Sequence, residues 1–170
     1  MRSFKFQIPK PIRHAALFSA LLRLANVEPL ALQKTSKKLF DGGVAARHPL
    51  RILLAEDNAI NQKVGLKMLS QLGYTADLAV NGLRVLEALN KTQYDLIFID
   101  IQMPEMGGIE TTGIIRERFD GHYPSIVALT ADALEGDRER FLGLGFDDYL
   151  SKPLQPKALQ DMLAIIRPAA

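Results

Sequence analysis

Cysteine is absent from the 170 residues, which excludes disulfides, thiolate metal centres and cysteine nucleophiles and is compatible with a reducing compartment. No apolar run approaches the roughly 18 residues of a membrane-spanning helix. The first residues also lack the apolar stretch of a secretory signal. The chain therefore reads as soluble and cytoplasmic, whether or not its parent is anchored in a membrane. Dense basic blocks are missing too. Residues 1–50 hold nine Lys/Arg against two Asp/Glu, and the remainder twelve against seventeen, so charge divides the chain near residue 50. The basic half spreads its charges without a dense block, and it reads as a solvated arm with no nucleic-acid partner. His14, His48 and His122 show neither metal-ligand spacing nor the acidic neighbours of a phosphorylatable histidine, and read as surface or linker residues.

From residue 51 onward, short apolar runs alternate with segments of helical period, the pattern of a parallel sheet with helices on both faces. Arg51–Ala55, Asp95–Ile99 and Ser125–Leu129 are continuously apolar inside, as strands covered on both faces must be. Tyr74–Ala79 and Asp148–Leu150 are weaker strands, expected toward the outside, which makes five. Ile60, Val64, Met68 and Leu72 recur every four residues with Leu69 beside them, and Gly73 stops that helix. Leu159, Met162, Leu163 and Ile166 mark the buried face of a last helix, and Pro168 ends it.

Residues 26–49, with Pro29, Lys34-Thr-Ser-Lys-Lys38, Gly42-Gly43 and Pro49, show little period and read as a linker. Before them, Ile12–Ala25 reads as a short amphipathic helix. Lys10-Pro11, an aliphatic, Ala16-Leu17 and Leu21 align without gaps on Lys152-Pro153, Leu154, Ala158-Leu159 and Leu163. The expectation is that residues 1–25 are the closing strand and helix of a preceding module, followed by a linker and a main domain over 50–168.

Four polar clusters each follow an apolar run: Glu56-Asp57-Asn58, Asp100, Thr130 and Lys152-Pro153. Taken singly, each has a plain structural reading, as a helix cap, a turn residue, a cap and a helix entry. In a parallel sheet with right-handed crossovers, however, the carboxyl ends of the strands share one edge, so the four converge. Three carboxylates that close repel unless a cation sits among them, and a hard oxygen set suits magnesium. A hydroxyl and an ammonium complete what phosphoryl transfer requires, which leaves the remaining carboxylate as nucleophile.

These residues resemble the receiver domains of response regulators and hybrid histidine kinases. The resemblance covers about residues 50–167. It rests on Glu56-Asp57-Asn58, Asp100-Ile-Gln-Met-Pro-Glu-Met-Gly-Gly108, Leu129-Thr-Ala-Asp-Ala133 and Tyr149-Leu-Ser-Lys-Pro153. Spacings of 43, 30 and 22 residues separate Asp57, Asp100, Thr130 and Lys152 in turn. The resemblance implies a doubly wound, flavodoxin-like α/β fold with strand order 2-1-3-4-5. It implies that Asp100 accepts the phosphoryl group from a phosphohistidine, and that Glu56, Asp57, Asp100 and the backbone carbonyl of Gln102 hold Mg2+. Lys152 then contacts the phosphoryl oxygens, with Thr130 and Tyr149 as switch residues. One departure is Gly107-Gly108 where the family usually has Asp-Gly, which removes an acid before a helix.

The function expected is a phosphorelay receiver, the carboxyl-terminal piece of a hybrid histidine kinase, with a histidine kinase or histidine-containing phosphotransfer domain as partner. It is expected to be monomeric before phosphorylation, with a dimer open to it afterwards. Two alternatives stand beside this. One is a magnesium phosphatase or phosphotransferase of similar fold, whose usual acid two positions after the nucleophile is here Gln102; the other is a degenerate pseudo-receiver that serves as an interaction module. Four residues after Ile166 leave no DNA-binding output domain in this chain, and no kinase catalytic core is present in it.

Overall fold

A computed structural model of the chain describes residues 43–118, 123–131 and 137–167, all within the unit that spans residues 38–170. The readings for residues 1–25 and 26–42, and for the start of the helix that Thr130 would cap, lie outside the described residues.

Three strands form the centre: β1 (Ile52–Ala55), β3 (Leu96–Asp100) and β4 (Ser125–Thr130). Side chains alternate between the faces of a sheet, so a strand covered on both sides must be apolar at nearly every position. Every residue of β1 and β3 is buried, as is all of β4 after Ser125. With β2 (Ala76–Ala79) and β5 (Asp148–Ser151) at the margins, the sheet is five-stranded and parallel throughout, in the order β2-β1-β3-β4-β5.

One face of the sheet presents Ile52, Leu54, Phe98, Val127 and Leu129 to α2 (Ala59–Gln71) and α6 (Pro156–Ile165). The other presents Leu53, Ala55, Ile97, Ile99, Ile126 and Ala128 to α3 (Gly82–Leu89), α4 (Gly108–Arg118) and α5 (Asp137–Gly143). Complete burial of a side chain of this size stabilises by about 1.5–3 kcal/mol, and twelve of the larger ones are essentially sealed from solvent. In α6, Leu159, Met162 and Leu163 are buried together with Ile166 just beyond it, as the period predicts.

Helix α2 departs from its expected face. Ile60 is 73% exposed and Val64 42%, while the buried line runs through Gly65, Leu69 and Leu72. The cause is Gly65. A Cβ there would stand 2.9 Å from Leu54 Cδ2, so the helix rests on β1 through its glycine, and Ile60 and Val64 face outward. A pattern counted on apolar side chains passes over a glycine that faces the core.

The boundary at residue 50 also needs correction. Residues 43–49 are not linker: α1 (Val44–Arg47) is a single turn, and Val44 and Leu50 join the core layer beneath α2 and α6. The N–H of Ala45 donates to Leu72 O at 3.3 Å, Tyr74 Oη donates to His48 O at 2.7 Å, and His48 Nε2 donates to Ile166 O at 2.5 Å. One turn is too short to carry a period, which is why this segment passes as linker. We expect a chain that begins at residue 50 to be less stable than one that begins at residue 43 by about 1–3 kcal/mol, the worth of one buried valine and two or three hydrogen bonds. Urea denaturation measures it, and coincident midpoints would mean the turn contributes nothing.

Candidate functional site at the carboxyl edge of the sheet

At the end of β1 the N–H of Glu56 bonds Ala79 O at 3.0 Å, which extends the ladder by one residue. That fixes the Glu56 side chain in a buried position, 1% exposed. Its Oε1 accepts from Asn61 Nδ2 at 2.9 Å and from the Asn58 N–H at 3.3 Å. Gln62 Nε2 donates to the carbonyls of Glu56 and Asp57 at 2.8 and 3.3 Å. Asn58 is indeed a helix cap, its Oδ1 accepting from the N–H groups of Ile60 and Asn61. The plain reading holds for that residue, and Glu56 and Asp57 are left for other work.

Asp100 closes β3, 7% exposed, and its Oδ1 accepts from the Gln102 N–H at 3.1 Å. Thr130 closes β4, also buried, and its carbonyl accepts from the Lys152 N–H at 2.7 Å. Lys152, one residue past β5, crosses the edge: Nζ donates to Glu56 Oε2 at 2.6 Å and to Asp100 Oδ2 at 2.5 Å. Carboxylate oxygens of Glu56, Asp57 and Asp100 lie within 4.8 Å of one another. A cavity of about 410 Å³ opens above them, lined also by Asn58, Asn61, Gln102, Thr130 and Ala131. All four predicted clusters thus meet at one edge. Tyr149 lies one strand away, half-buried, with its ring centroid 5.1 Å from that of Phe141.

The electrostatics follow from this crowding. Burial pushes the Asp100 carboxyl above its usual range; Lys152 and the Gln102 N–H pull it back, and Glu56 adds to the rise. For Lys152, burial acts to lower the pKa, but the hydrogen bonds to Asp100 and Glu56 outweigh it and the ammonium ends above its ordinary value. The lysine is firmly cationic, yet one ammonium faces three carboxylates. Hard oxygen donors with a surplus of negative charge beside an open cavity fit a small divalent cation such as magnesium.

The loop after Asp100 is tied at its base by Gly108 N–H to Ile101 O at 3.0 Å and Ile101 N–H to Leu129 O at 3.2 Å. A Cβ at Gly108 would lie 2.3 Å from Asp100 O, so only glycine permits this approach. Loss of the usual acid at Gly107 leaves the helix start intact. Helix α4 begins at Gly108 with Glu110 in its first turn, where a carboxylate complements the helix dipole. Asn61 and Gln62, which hold the acidic pair, escape a reading that looks only for charge; their signal is two amides within six residues of Glu56. Arg84 pairs with Glu87 at 2.6 Å on the exposed face of α3, as a solvent-facing residue should. Among the described residues, no helix is long and apolar enough to cross a membrane.

The family model described as the response regulator receiver domain matches residues 52–164. The chain is 37% identical over 146 residues to Hybrid signal transduction histidine kinase I of Dictyostelium discoideum, covering 81% of this chain and 8% of that protein. It is 39% identical over 165 residues to Histidine protein kinase 1 of Candida albicans, covering 91% and 6%. The chain thus spans less than a tenth of the length of these relatives. Among solved structures it resembles the receiver domain of a Pseudomonas aeruginosa sensor histidine kinase, which has a magnesium ion coordinated in its active site cleft. The identity there is 40% and the TM-score 0.62, over 69% of this chain and 96% of that one. It also resembles a Saccharomyces cerevisiae co-crystal of a histidine phosphotransfer signaling protein with the receiver domain of its downstream response regulator, at 33% identity and TM-score 0.61, over 68% and 86%.

Removal of the ammonium should expose the repulsion it masks. Without divalent ions, Lys152→Met is expected to destabilise by about 3 kcal/mol, the scale for orphaning buried charge. Combining it with Glu56→Gln should recover a large part of that loss. If chemical denaturation gives strictly additive losses for the two changes, the charges are not coupled.

Proposed function

The chain belongs to the response regulator receiver domain family, and from that membership we propose that it accepts a phosphoryl group at Asp100 from a phosphohistidine, as one station of a phosphorelay. The observation that carries this reading is the Lys152 ammonium bridging Glu56 and Asp100 at the mouth of an acidic cavity. A carboxylate oxygen of Asp100 attacks phosphorus in line; the new O–P bond forms as the P–N bond breaks, and the electron pair leaves with the donor imidazole. Charge on the transferring oxygens is met by Lys152 Nζ and the Thr130 hydroxyl. Glu56, Asp57, Asp100 and the Gln102 carbonyl would hold magnesium, which when bound supplies further neutralisation of phosphoryl charge. Once Asp100 is phosphorylated to an acyl phosphate, Lys152 loses one of its two carboxylate partners and turns to the phosphoryl oxygens, and Thr130 and Tyr149 register the change on neighbouring strands.

The phosphatase alternative would need a proton donor at the second position after the nucleophile. Gln102 has none to give, so that reading carries little weight. A degenerate pseudo-receiver would be expected to lack at least one member of the site, and none is missing here. The hybrid-kinase origin is supported by the relatives, which are hybrid and histidine kinases matched over a small part of their length.

A donor imidazole can reach Asp100 only if its protein covers the mouth of the cavity. The exposed Ile60 and Val64 lie on the helix that flanks this mouth. Beside them a second cavity of about 310 Å³ is lined by Val64, Pro153 and Leu154 together with Glu56 and Lys152. We assign this apolar rim to the phosphotransfer partner; exposed apolar groups grouped at a site mark such contacts.

With beryllofluoride as phosphoryl mimic, magnesium-dependent amide shifts are expected at Asp57, Asp100, Thr130 and Lys152 and should vanish in Asp100→Asn; silence in wild type would sink the receiver reading. Magnesium at ten times its dissociation constant should stabilise the fold by about 1.4 kcal/mol, and Asp57→Asn should remove most of that gain. Ile60→Lys with Val64→Lys should slow transfer from a phosphohistidine protein about tenfold while labelling by acetyl phosphate stays unchanged. Equal loss with both donors would mean that the rim does not serve docking.

A further inference from the structure

Asn81 is buried, 7% exposed, and caps helix α3 through Oδ1, which accepts from the Arg84 N–H at 2.9 Å. A cap requires only an acceptor, and aspartate serves as well as asparagine there. The amide nitrogen is surplus to capping, and it donates to Glu105 Oε2 at 2.6 Å. The next residue repeats the connection through the backbone: Gly82 N–H donates to Met106 O at 3.0 Å. A Cβ at Gly82 would stand 1.9 Å from Thr111 Oγ1 and 2.8 Å from Met106 O, so the contact requires glycine.

On the other side of this contact the backbone is strained. Glu105 is the one non-glycine residue with positive φ among those described, at 66°, and Met106 N–H closes back on Pro104 O at 2.7 Å. A three-residue turn with that sign of φ is the rare, strained form of the γ-turn, and it persists only where the surroundings over-determine it. Asn81 and Gly82 supply that determination. The loop is therefore held at both ends: at its base by the bonds of Ile101 and Gly108, and at its far end by Asn81 and Gly82. Gln102 lies between.

We propose that Asn81 and Glu105 form a positioning clamp, distinct from the helix cap, that fixes the loop after Asp100 so that the Gln102 carbonyl meets the bound cation. This rests on the receiver reading above. Neither residue touches the reacting atoms; both act through the loop. The clamp also explains why an asparagine stands at position 81, since the site needs an acceptor for α3 and a donor for Glu105 from one side chain.

The test separates clamp from cap. Asn81→Asp keeps the cap but places a carboxylate against Glu105. Glu105→Gln keeps an acceptor for the Asn81 amide. The two together exchange donor and acceptor and restore the bond. Magnesium affinity, read from amide shifts of Asp57 and Asp100 in the full chain, is expected to weaken roughly three- to tenfold in Asn81→Asp, to stay within about twofold in Glu105→Gln, and to return to within about twofold in the double variant. An added negative charge would by itself favour a cation, so the expected weakening has the opposite sign to simple electrostatics. Wild-type affinity in Asn81→Asp, or no recovery in the double variant, overturns the clamp alone. A wild type with no magnesium-dependent shift at Asp57 or Asp100 overturns the receiver reading and the clamp with it.

Discussion

Lys152 holds together groups that lie 96 and 52 residues away along the chain, Glu56 and Asp100. Each buried charge costs several kcal/mol in lost hydration, and the attraction between partners offsets that only if the geometry is good and the remaining lone pairs are filled. Here they are filled: Glu56 accepts from Asn61 and Asn58 as well as Lys152, and Asp100 from Gln102 as well as Lys152. The arrangement demands that the ends of β1, β3 and β5 stay in fixed register, and only a sheet sealed on both faces delivers this. The apolar layers stabilise the fold, and the polar edge draws on that stability.

The same demand explains which parts of the molecule are legible in the sequence. A strand buried on both faces must be apolar at every position, so Ile52–Ala55 and Leu96–Ile99 announce themselves. The site is legible for a related reason, because each of its members directly follows such a run and parallel order places run-ends together. Edge strand β2, with Asp77 and Leu78 exposed, carries a weaker signal. Helix α2 misleads because a glycine stands on the face it turns to β1, and Val44–Arg47 because a single turn has no period to show.

What stays hidden is of one kind. Asn61, Gln62 and Asn81 work through side-chain amide N–H groups, the first two on Glu56 and Asp57 five or six residues away and the third on Glu105 in another loop, and a surplus amide N–H carries no charge that would single it out in the sequence. Asn81-Gly82 is a helix start, and only the approach of the loop at Glu105–Met106 reveals its second use. Charged residues at strand ends are conspicuous because their burial is costly. Neutral amides that orient them are cheap to place on a surface and so draw no notice in a sequence.

On the receiver reading, this division of labour bears on how the site can switch. Phosphorylation replaces a carboxylate by a bulkier group, still anionic, at a point where one ammonium was shared between two acids. If Asp57 and the loop around Gln102 were free to follow that change, the added charge would be absorbed locally. The loop is instead pinned at both ends, and Glu56 is fixed by Asn61, Asn58 and its own backbone bond to Ala79. The groups left to respond are Lys152 and, across the β4–β5 pair, Thr130 and Tyr149, whose ring packs on Phe141 at the half-buried margin of the core. On that reading the bonds that hold Glu56 and the loop around Gln102 leave the change of charge to be expressed through Lys152, Thr130 and Tyr149, and so toward the β4–β5 face of the domain.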